Sequence, residues 1–174
     1  AYVAFGAESA VKLVKDYPNV LVVRTMSKSH SMAGLRVGYA IGQKHLIQGL
    51  NTVKNCINSY VVDRVATAAA AQSLLDTQHT QEVITKIINT REWVSERLKE
   101  LGYKVLPSSA NFIFITRGEN AKACYEYLRQ NGVLVRYFNK PRIDQFLRVS
   151  IGTDEQMTEF IRIIKAFSLE NMGD

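Results

Sequence analysis

The chain has 174 residues, of which 47% are apolar and 22% charged, the composition of a soluble globular protein with a real core. No stretch approaches the length of a membrane span and no secretory segment opens the chain. The 22 Lys and Arg behind the +6 net charge are scattered rather than gathered into a nucleic-acid arm; a basic surface serving small phosphorylated or carboxylated ligands fits equally well, and charge alone does not decide. No nucleic-acid or membrane partner is expected.

In chain order, the opening AYVAFG starts with Ala and reads as the end of a strand or turn, which predicts a fragment or a processed chain. Residues 20–23 are a continuous apolar, β-branched run, as for a strand covered on both faces, and residues 35–41 form a second run broken by Gly38. Leu46, Ile47, Leu50, Val53 and Ile57 have helical spacing over 44–57, and an Ala-rich helix is expected over 63–75. A long helix follows over about 80–101 on the stripe Val83, Ile84, Ile87, Ile88, Val94, Leu98 and Leu101, with Gly102 as its stop. A helix of that length spans about 30 Å and suits a link between domains.

Beyond it, strands are expected over 103–106 and 112–116. A helix over 120–131 is predicted to be capped by Asn120 and stopped by Gly132, followed by strands over 133–138 and 146–151. A last helix starts at Thr153 with Gln156 completing a capping box, and buries Met157, Phe160, Ile161, Ile164 and Phe167. Trp93 belongs to packing. The reading is therefore α/β over residues 1–85, a linking helix over 86–102, and a small α+β domain over 103–174 with its helices on one side of one sheet.

The run TMSKSHSMAGLRVGYAIG, residues 25–42, places one amine, Lys28, on a loop leaving a strand end. Ligands of open α/β sheets gather outside such ends. A lysine becomes a nucleophile toward carbonyls through desolvation or a neighbouring positive charge; otherwise it is an ordinary solvated loop lysine. Around Lys28 stand the hydroxyls of Thr25, Ser27 and Ser29, the small residues Ser31, Ala33 and Gly34, and the guanidinium of Arg36, whose fork suits phosphate. The set describes a site for a phosphorylated carbonyl compound that forms a Schiff base. In FLRVSI, alternation puts Phe146, Arg148 and Ser150 on one strand face, opposite Leu147, Val149 and Ile151. A mid-strand arginine calls for an anion, supplied either by a ligand or by a structural ion pair with Glu or Asp. His45 and His79 have no partner at ligand spacing, so no metal site is expected. The two cysteines, Cys56 and Cys124, lack metal-site spacing and are too few for a disulfide framework, which predicts a reducing cytoplasm.

Ser27-Lys28-Ser29 followed by Ala33-Gly34-Leu35-Arg36-Val37-Gly38 resembles the cofactor-attachment signature of the fold type I pyridoxal-phosphate aminotransferases, closest in spelling to the histidinol-phosphate aminotransferase branch. The resemblance implies the C-terminal part of the large domain, a mostly parallel sheet with helices, followed by the small α+β domain. It implies pyridoxal 5'-phosphate held covalently by Lys28, which also shuttles the proton between substrate and cofactor. Thr25, Ser27 and Arg36 would then hold the phosphate, and Tyr2 the phenolic oxygen. Arg148, in the family's Leu-Arg-Val-Ser-Ile-Gly run, would clamp the substrate carboxylate, and Arg136 would meet the distal phosphate. Ser108 to Phe112 resembles the family's small-domain strand entry, with Asn111 in the wall. His30 departs from the pattern, which usually has an aromatic or apolar residue there.

The resemblance spans residues 1 to about 169 but only the second half of the family's length. The aspartate on the pyridine nitrogen, the asparagine on the phenolic oxygen, the stacked aromatic ring and the glycine-rich helix start fall upstream in the family. The implied parent reaction exchanges an amino group between histidinol phosphate and 2-oxoglutarate in a homodimer, while the chain alone is expected to be self-associated and nearly inactive. Competing readings are threonine-phosphate decarboxylase, an aromatic aminotransferase, the aminotransferase-like domain of a cofactor-sensing transcription regulator, and a plain α/β binding module.

Overall fold

A computed structural model describes residues 1–118 and 120–170. Two compact units divide the chain, Ala1–Ile84 and the residues from Thr85 onward.

In the first unit, a 3-10 turn at Val3–Phe5 buries Phe5 completely. A second, Ala10–Val14, is capped by Ser9, whose hydroxyl accepts from Val11 N at 3.1 Å. Strands β1 (Leu21–Thr25) and β2 (Gly38–Gly42) pair from Leu21↔Gly42 to Thr25↔Gly38. Gly38 is required at this closure: a Cβ there would sit 2.7 Å from the carbonyl oxygen of Arg24.

The two strands of this unit are antiparallel, a reversed pair of the kind that a mostly parallel sheet admits at its edge. The connection over 26–37 holds only a 3-10 turn, Ala33–Leu35, and parallel neighbours need a crossover of a dozen or more residues, usually a helix. The two-sided burial expected for residues 20–23 is absent, since Val23 is 69% exposed.

Helix α1 (Lys44–Ile57) follows the expected bounds, yet buries no residue: Leu46 and Ile47 are half-buried, and Leu50, Val53 and Ile57 are 43, 58 and 80% exposed. The later part of its apolar stripe, from Leu50 to Ile57, is thus exposed. Helix α2 (Arg64–Leu75) is capped by Asp63, whose carboxylate accepts from Ala66 N at 2.8 Å, and buries Ala66 and Ala70. Helix α3 (Thr77–Glu100) is longer than its stripe indicated and gives its first residues, to Ile84, to this unit.

The second unit runs β3 (Lys104–Val105), β4 (Phe112–Thr116), α4 (Ala121–Gln130), β5 (Arg136–Tyr137), β6 (Leu147–Ser150) and α5 (Asp154–Glu170), the order the sequence predicted. The strands pair antiparallel throughout in the order β3-β4-β6-β5. Alternation in β4 and β6 sends Ile113, Ile115, Leu147 and Val149 into a core completed by Val94 and Leu98 of α3, Leu128 of α4, and Phe160 and Ile164 of α5. Burying Phe160 alone is worth about 1.5–3 kcal/mol.

The capping box forms in both directions, Thr153 N donating to Gln156 Oε1 at 3.0 Å and Gln156 N to Thr153 Oγ1 at 3.3 Å. Gly102 and Gly132 close α3 and α4 at φ +82 and +80. The predicted side-chain cap at Asn120 does not form. Its backbone φ of −85° and ψ of 15° lies outside the extended region that aims a cap side chain back at the helix.

Candidate functional site

In the first unit the loop after β1 is folded back on itself. Met26 N donates to Val37 O and Met32 N to Met26 O, each at 3.1 Å. Met26 and Met32 are buried with Ala70 of α2, and Leu35, Val37 and Ala69 pack around them. Lys28 lies on the outside of this loop, exposed to water. The desolvation expected for it is therefore not supplied within the first unit. Its carbonyl accepts from Ser31 N at 3.3 Å, closing a tight turn in which Ser31 has φ 55.

Thr25 and Ser27 form a hydroxyl pair at the strand end. Ser27 N donates to Thr25 Oγ1 at 3.1 Å, and Thr25 Oγ1 donates to Ser27 Oγ at 2.8 Å. Arg36 ends the 3-10 turn with φ 56; its Nη1 donates to Ala33 O at 2.8 Å while the rest of the exposed guanidinium faces outward. A Cβ at Gly34 would meet nothing within 4 Å, so the approach is open as the small residues implied. Tyr2 is half-buried at the start of the first 3-10 turn, where its carbonyl accepts from Phe5 N.

Two residues beside this loop escaped the sequence reading. Arg24, on β1 opposite Tyr39, donates to Ser9 Oγ at 2.6 Å and lines a cavity of about 80 Å³ with Thr25, Ser29, His30 and Tyr39. The one signal for it was a cation closing an apolar strand. Ser73 of α2 stands 3.0 Å from His30 Nδ1, and burial lowers the pKa of that imidazole.

In the second unit, Arg148 lies on the sheet face opposite the core, as alternation required. It is half-buried between Leu147 and Val149, which are each 2% exposed on the core side. Among the described residues no salt bridge includes Arg148. Its Nε is buried with no hydrogen-bond partner, and its guanidinium carbon is 5.3 Å from the ring centre of Phe112 and 5.9 Å from that of Phe138.

Arg136 is the direct partner of Arg148 across β5 and β6, and its own guanidinium lies 5.3 Å from the same Phe138 ring. Phe114, on the other flank of Arg148, stacks on Phe146 at 5.0 Å with the planes 6° apart. Like charges directly opposite one another cost stability, and an orphaned buried N–H costs about 1–3 kcal/mol. The rings offset part of this through cation–π attraction. A bound carboxylate or phosphate would answer both deficits.

Asn111, read as a wall or turn residue, uses its carbonyl to accept from Ile151 N at 2.9 Å, and Ser108 Oγ donates to Phe112 O at 2.5 Å. A cavity of about 140 Å³, unforeseen in the sequence, is lined by Tyr103, Arg117, Asn120, Cys124 and Phe167 among others. Burial pushes the Tyr103 phenol up to about 12 and the Cys124 thiol up to about 11. Among the described residues no group of three or more His, Cys, Asp or Glu is placed to hold a metal ion.

Comparison with known proteins fits this arrangement. The sequence pattern described as aminotransferase class I and II matches residues 1–164. A histidinol-phosphate aminotransferase of Clostridium botulinum (strain 657) is 53% identical over 166 residues, 95% of this chain and 47% of that protein. One from Clostridium acetobutylicum is 54% identical over the same shares of the two chains. The crystal structure of the histidinol-phosphate aminotransferase from Clostridium acetobutylicum superposes with a TM-score of 0.86 at 25% identity, over 97% of this chain and 52% of that one. The Sinorhizobium meliloti enzyme, solved in complex with pyridoxal-5'-phosphate, superposes with a TM-score of 0.82 at 26% identity, over 96% of this chain and 48% of that one. The chain thus spans about half the length of the curated relatives it matches. A loop carrying one lysine among hydroxyls and a guanidinium, on a fold shared with these enzymes, places the chain in the aminotransferase class I and II family.

Proposed function

We propose that the chain supplies the lysine-bearing and carboxylate-binding parts of a histidinol-phosphate aminotransferase. The reaction would pass an amino group from histidinol phosphate to 2-oxoglutarate in two half-reactions. The observation that carries this reading is the identity of 53% to a histidinol-phosphate aminotransferase over 95% of the chain.

The residues on the loop fit pyridoxal 5'-phosphate by their chemistry. One exposed amine, two hydroxyls 2.8 Å apart and a guanidinium with outward donors share a single loop, and together they suit an aldehyde and a phosphate. When bound, that cofactor supplies an electron-withdrawing ring conjugated to the amino group being moved. Thr25, Ser27 and Arg36 would hold its phosphate, and the Tyr2 hydroxyl would meet its phenolic oxygen. Lys28 Nζ would hold the cofactor at its aldehyde carbon, the carbonyl oxygen leaving as water, and when freed would take up and return a proton at Nζ. Arg148 binds the substrate carboxylate through its paired N–H groups, and Arg136 takes the distal phosphate.

The division 1–85, 86–102 and 103–174 is retained as a proposal for the domain plan. So are a cytoplasmic setting, which suits the free thiols of Cys56 and Cys124, and a homodimer, supported by the exposed apolar stripe of α1 and by Tyr60, 92% exposed after it. Among the described residues no helix is long and apolar enough to cross a membrane. From these 174 residues alone we expect little or no turnover, because the resemblance places no carboxylate among them against the pyridine nitrogen.

The test is to incubate the chain with pyridoxal phosphate, reduce with borohydride and map the modified residue. Label at Lys28 is expected. Label confined to other lysines would overturn the assignment.

A further inference from the structure

His30 is where the chain departs from the family resemblance, and the structure gives that departure a contact. Its Nδ1 lies 3.0 Å from Ser73 Oγ on α2. We propose that His30, acting through Ser73, is a positioning residue that holds the turn carrying Lys28 against α2. The inference rests on Lys28 being the cofactor-bearing residue.

The loop meets α2 at two levels. At its base, Met26 and Met32 are buried against Ala70, with Ala69 packed beside them. Ser73 lies about one helical turn further along, on the face of Ala69 and Ala70. The small residues of α2 let the loop backbone come close, and Ser73 offers a polar anchor beyond them. Between the two levels lies the turn closed by Ser31 N donating to Lys28 O at 3.3 Å.

That turn is not self-supporting. Ser31 sits at φ 55, a left-handed conformation that a residue with a Cβ adopts at a cost, and such conformations persist only where the surroundings over-determine them. The His30 side chain leaves from inside the turn, two residues from Lys28, and reaches out of it to a helix. Burial favours the uncharged imidazole, so one ring nitrogen stays an acceptor while the other carries the proton. An apolar ring here would pack but could not hold Ser73. Slack at His30 would pass to Lys28 through two peptide units, loosening the amine without touching its own side chain.

The test uses the full chain in three variants. Ser73→Ala and His30→Phe remove the bond from either end, and Ser73→Thr keeps the hydroxyl. Without cofactor, hydrogen exchange is read at the Ser31 and Met32 amides, which donate to Lys28 O and Met26 O. Exchange roughly three- to tenfold faster is expected in Ser73→Ala and His30→Phe, the effect of one net hydrogen bond, with Ser73→Thr close to the unsubstituted chain. With pyridoxal phosphate and borohydride, the share of label at Lys28 relative to the other lysines should fall in the first two variants and return in the third. Unchanged exchange in both Ser73→Ala and His30→Phe would overturn the proposal. So would faster exchange with an unchanged Lys28 share, which would reduce the bond to a structural contact. Absence of label at Lys28 in the unsubstituted chain would instead overturn the cofactor reading, and the exchange comparison would still decide whether the bond holds the turn.

Discussion

Arg136 and Arg148 face each other as direct partners across β5 and β6, and both guanidinium groups lie over the ring of Phe138. Two cations so placed are a standing cost that a bound anion removes. Adding a dicarboxylate or a phosphate monoester should therefore raise the thermal midpoint of the chain, by up to about 2.7 kcal/mol of stability at a hundred times the dissociation constant. Arg148→Met should abolish most of that gain while leaving basal stability within about 1 kcal/mol, since it also removes the orphaned Nε. Melting curves with and without the anion measure both. A variant that loses several kcal/mol without anion would show that Arg148 serves the fold instead.

Arg36 has one donor on Ala33 O and the others outward. Arg36→Ala should weaken pyridoxal phosphate binding by roughly 10- to 100-fold, as for a lost charge-assisted pair worth about 1.5–3 kcal/mol. Arg36→Lys should recover part of it. An absorbance titration with the cofactor reads the effect, and equal affinity in all three chains would remove Arg36 from the phosphate site.

The stripe of Leu50, Val53 and Ile57 on α1 is exposed apolar surface at helical spacing. The chain should associate at tens of micromolar, and Val53→Glu with Ile57→Lys should weaken that association at least tenfold, each buried side chain being worth about 1.5–3 kcal/mol. Sedimentation velocity across a concentration series checks this. A monomer at every concentration would count against the homodimer.

Stability should fall in alkali. Burial raises Cys124 from 9.0 to about 11 and Tyr103 from 10.0 to about 12, so the folded state keeps both protonated where the unfolded chain ionises. Their contribution is complete below pH 9 and is lost as the pH rises through 9 to 11 for Cys124 and 10 to 12 for Tyr103. Cys124→Ala should flatten the first part of that decline in urea melts taken from pH 8 to 11. An unchanged slope would mean that the thiol does not titrate with unfolding.

Thr153 and Gln156 close the start of α5 reciprocally. Thr153→Ala should cost about 0.5–2 kcal/mol, and Phe160→Ala about 3–5 kcal/mol in the same core. Chemical denaturation gives both, and the order of the two costs is the firm expectation.

The second unit was read almost element for element, because its signals are local. Alternation over 112–116 and 146–151 and the Thr153–Gln156 box depend on a few neighbouring residues. Asn120 failed for the complementary reason: its residue type favours capping, but the backbone entering α4 does not present it. In the first unit, residues 20–23 were correctly identified as a strand and wrongly as one covered on both sides. A pattern of Val and Leu reports affinity for a core without reporting which partner fills it. The Lys28 loop was legible as a set of residue types, whereas the His30–Ser73 bond joins residues far apart in sequence and gives no local signal. The opposition of Arg136 and Arg148 needed the register, which neither strand encodes alone.

Arg36 occupies the left-handed conformation, φ 56, at the end of the turn before β2, a place where glycine would relax the backbone by about 1–2 kcal/mol. Arg36→Gly is therefore a substitution that should make the loop easier to fold while deleting its guanidinium. Selection for a stable chain and selection for anion capture pull in opposite directions at this one position. A library sorted only for folding should drift toward glycine there, and one sorted for cofactor retention should hold arginine. That divergence makes residue 36 a place where the cost of function in this loop can be counted separately from the cost of the fold.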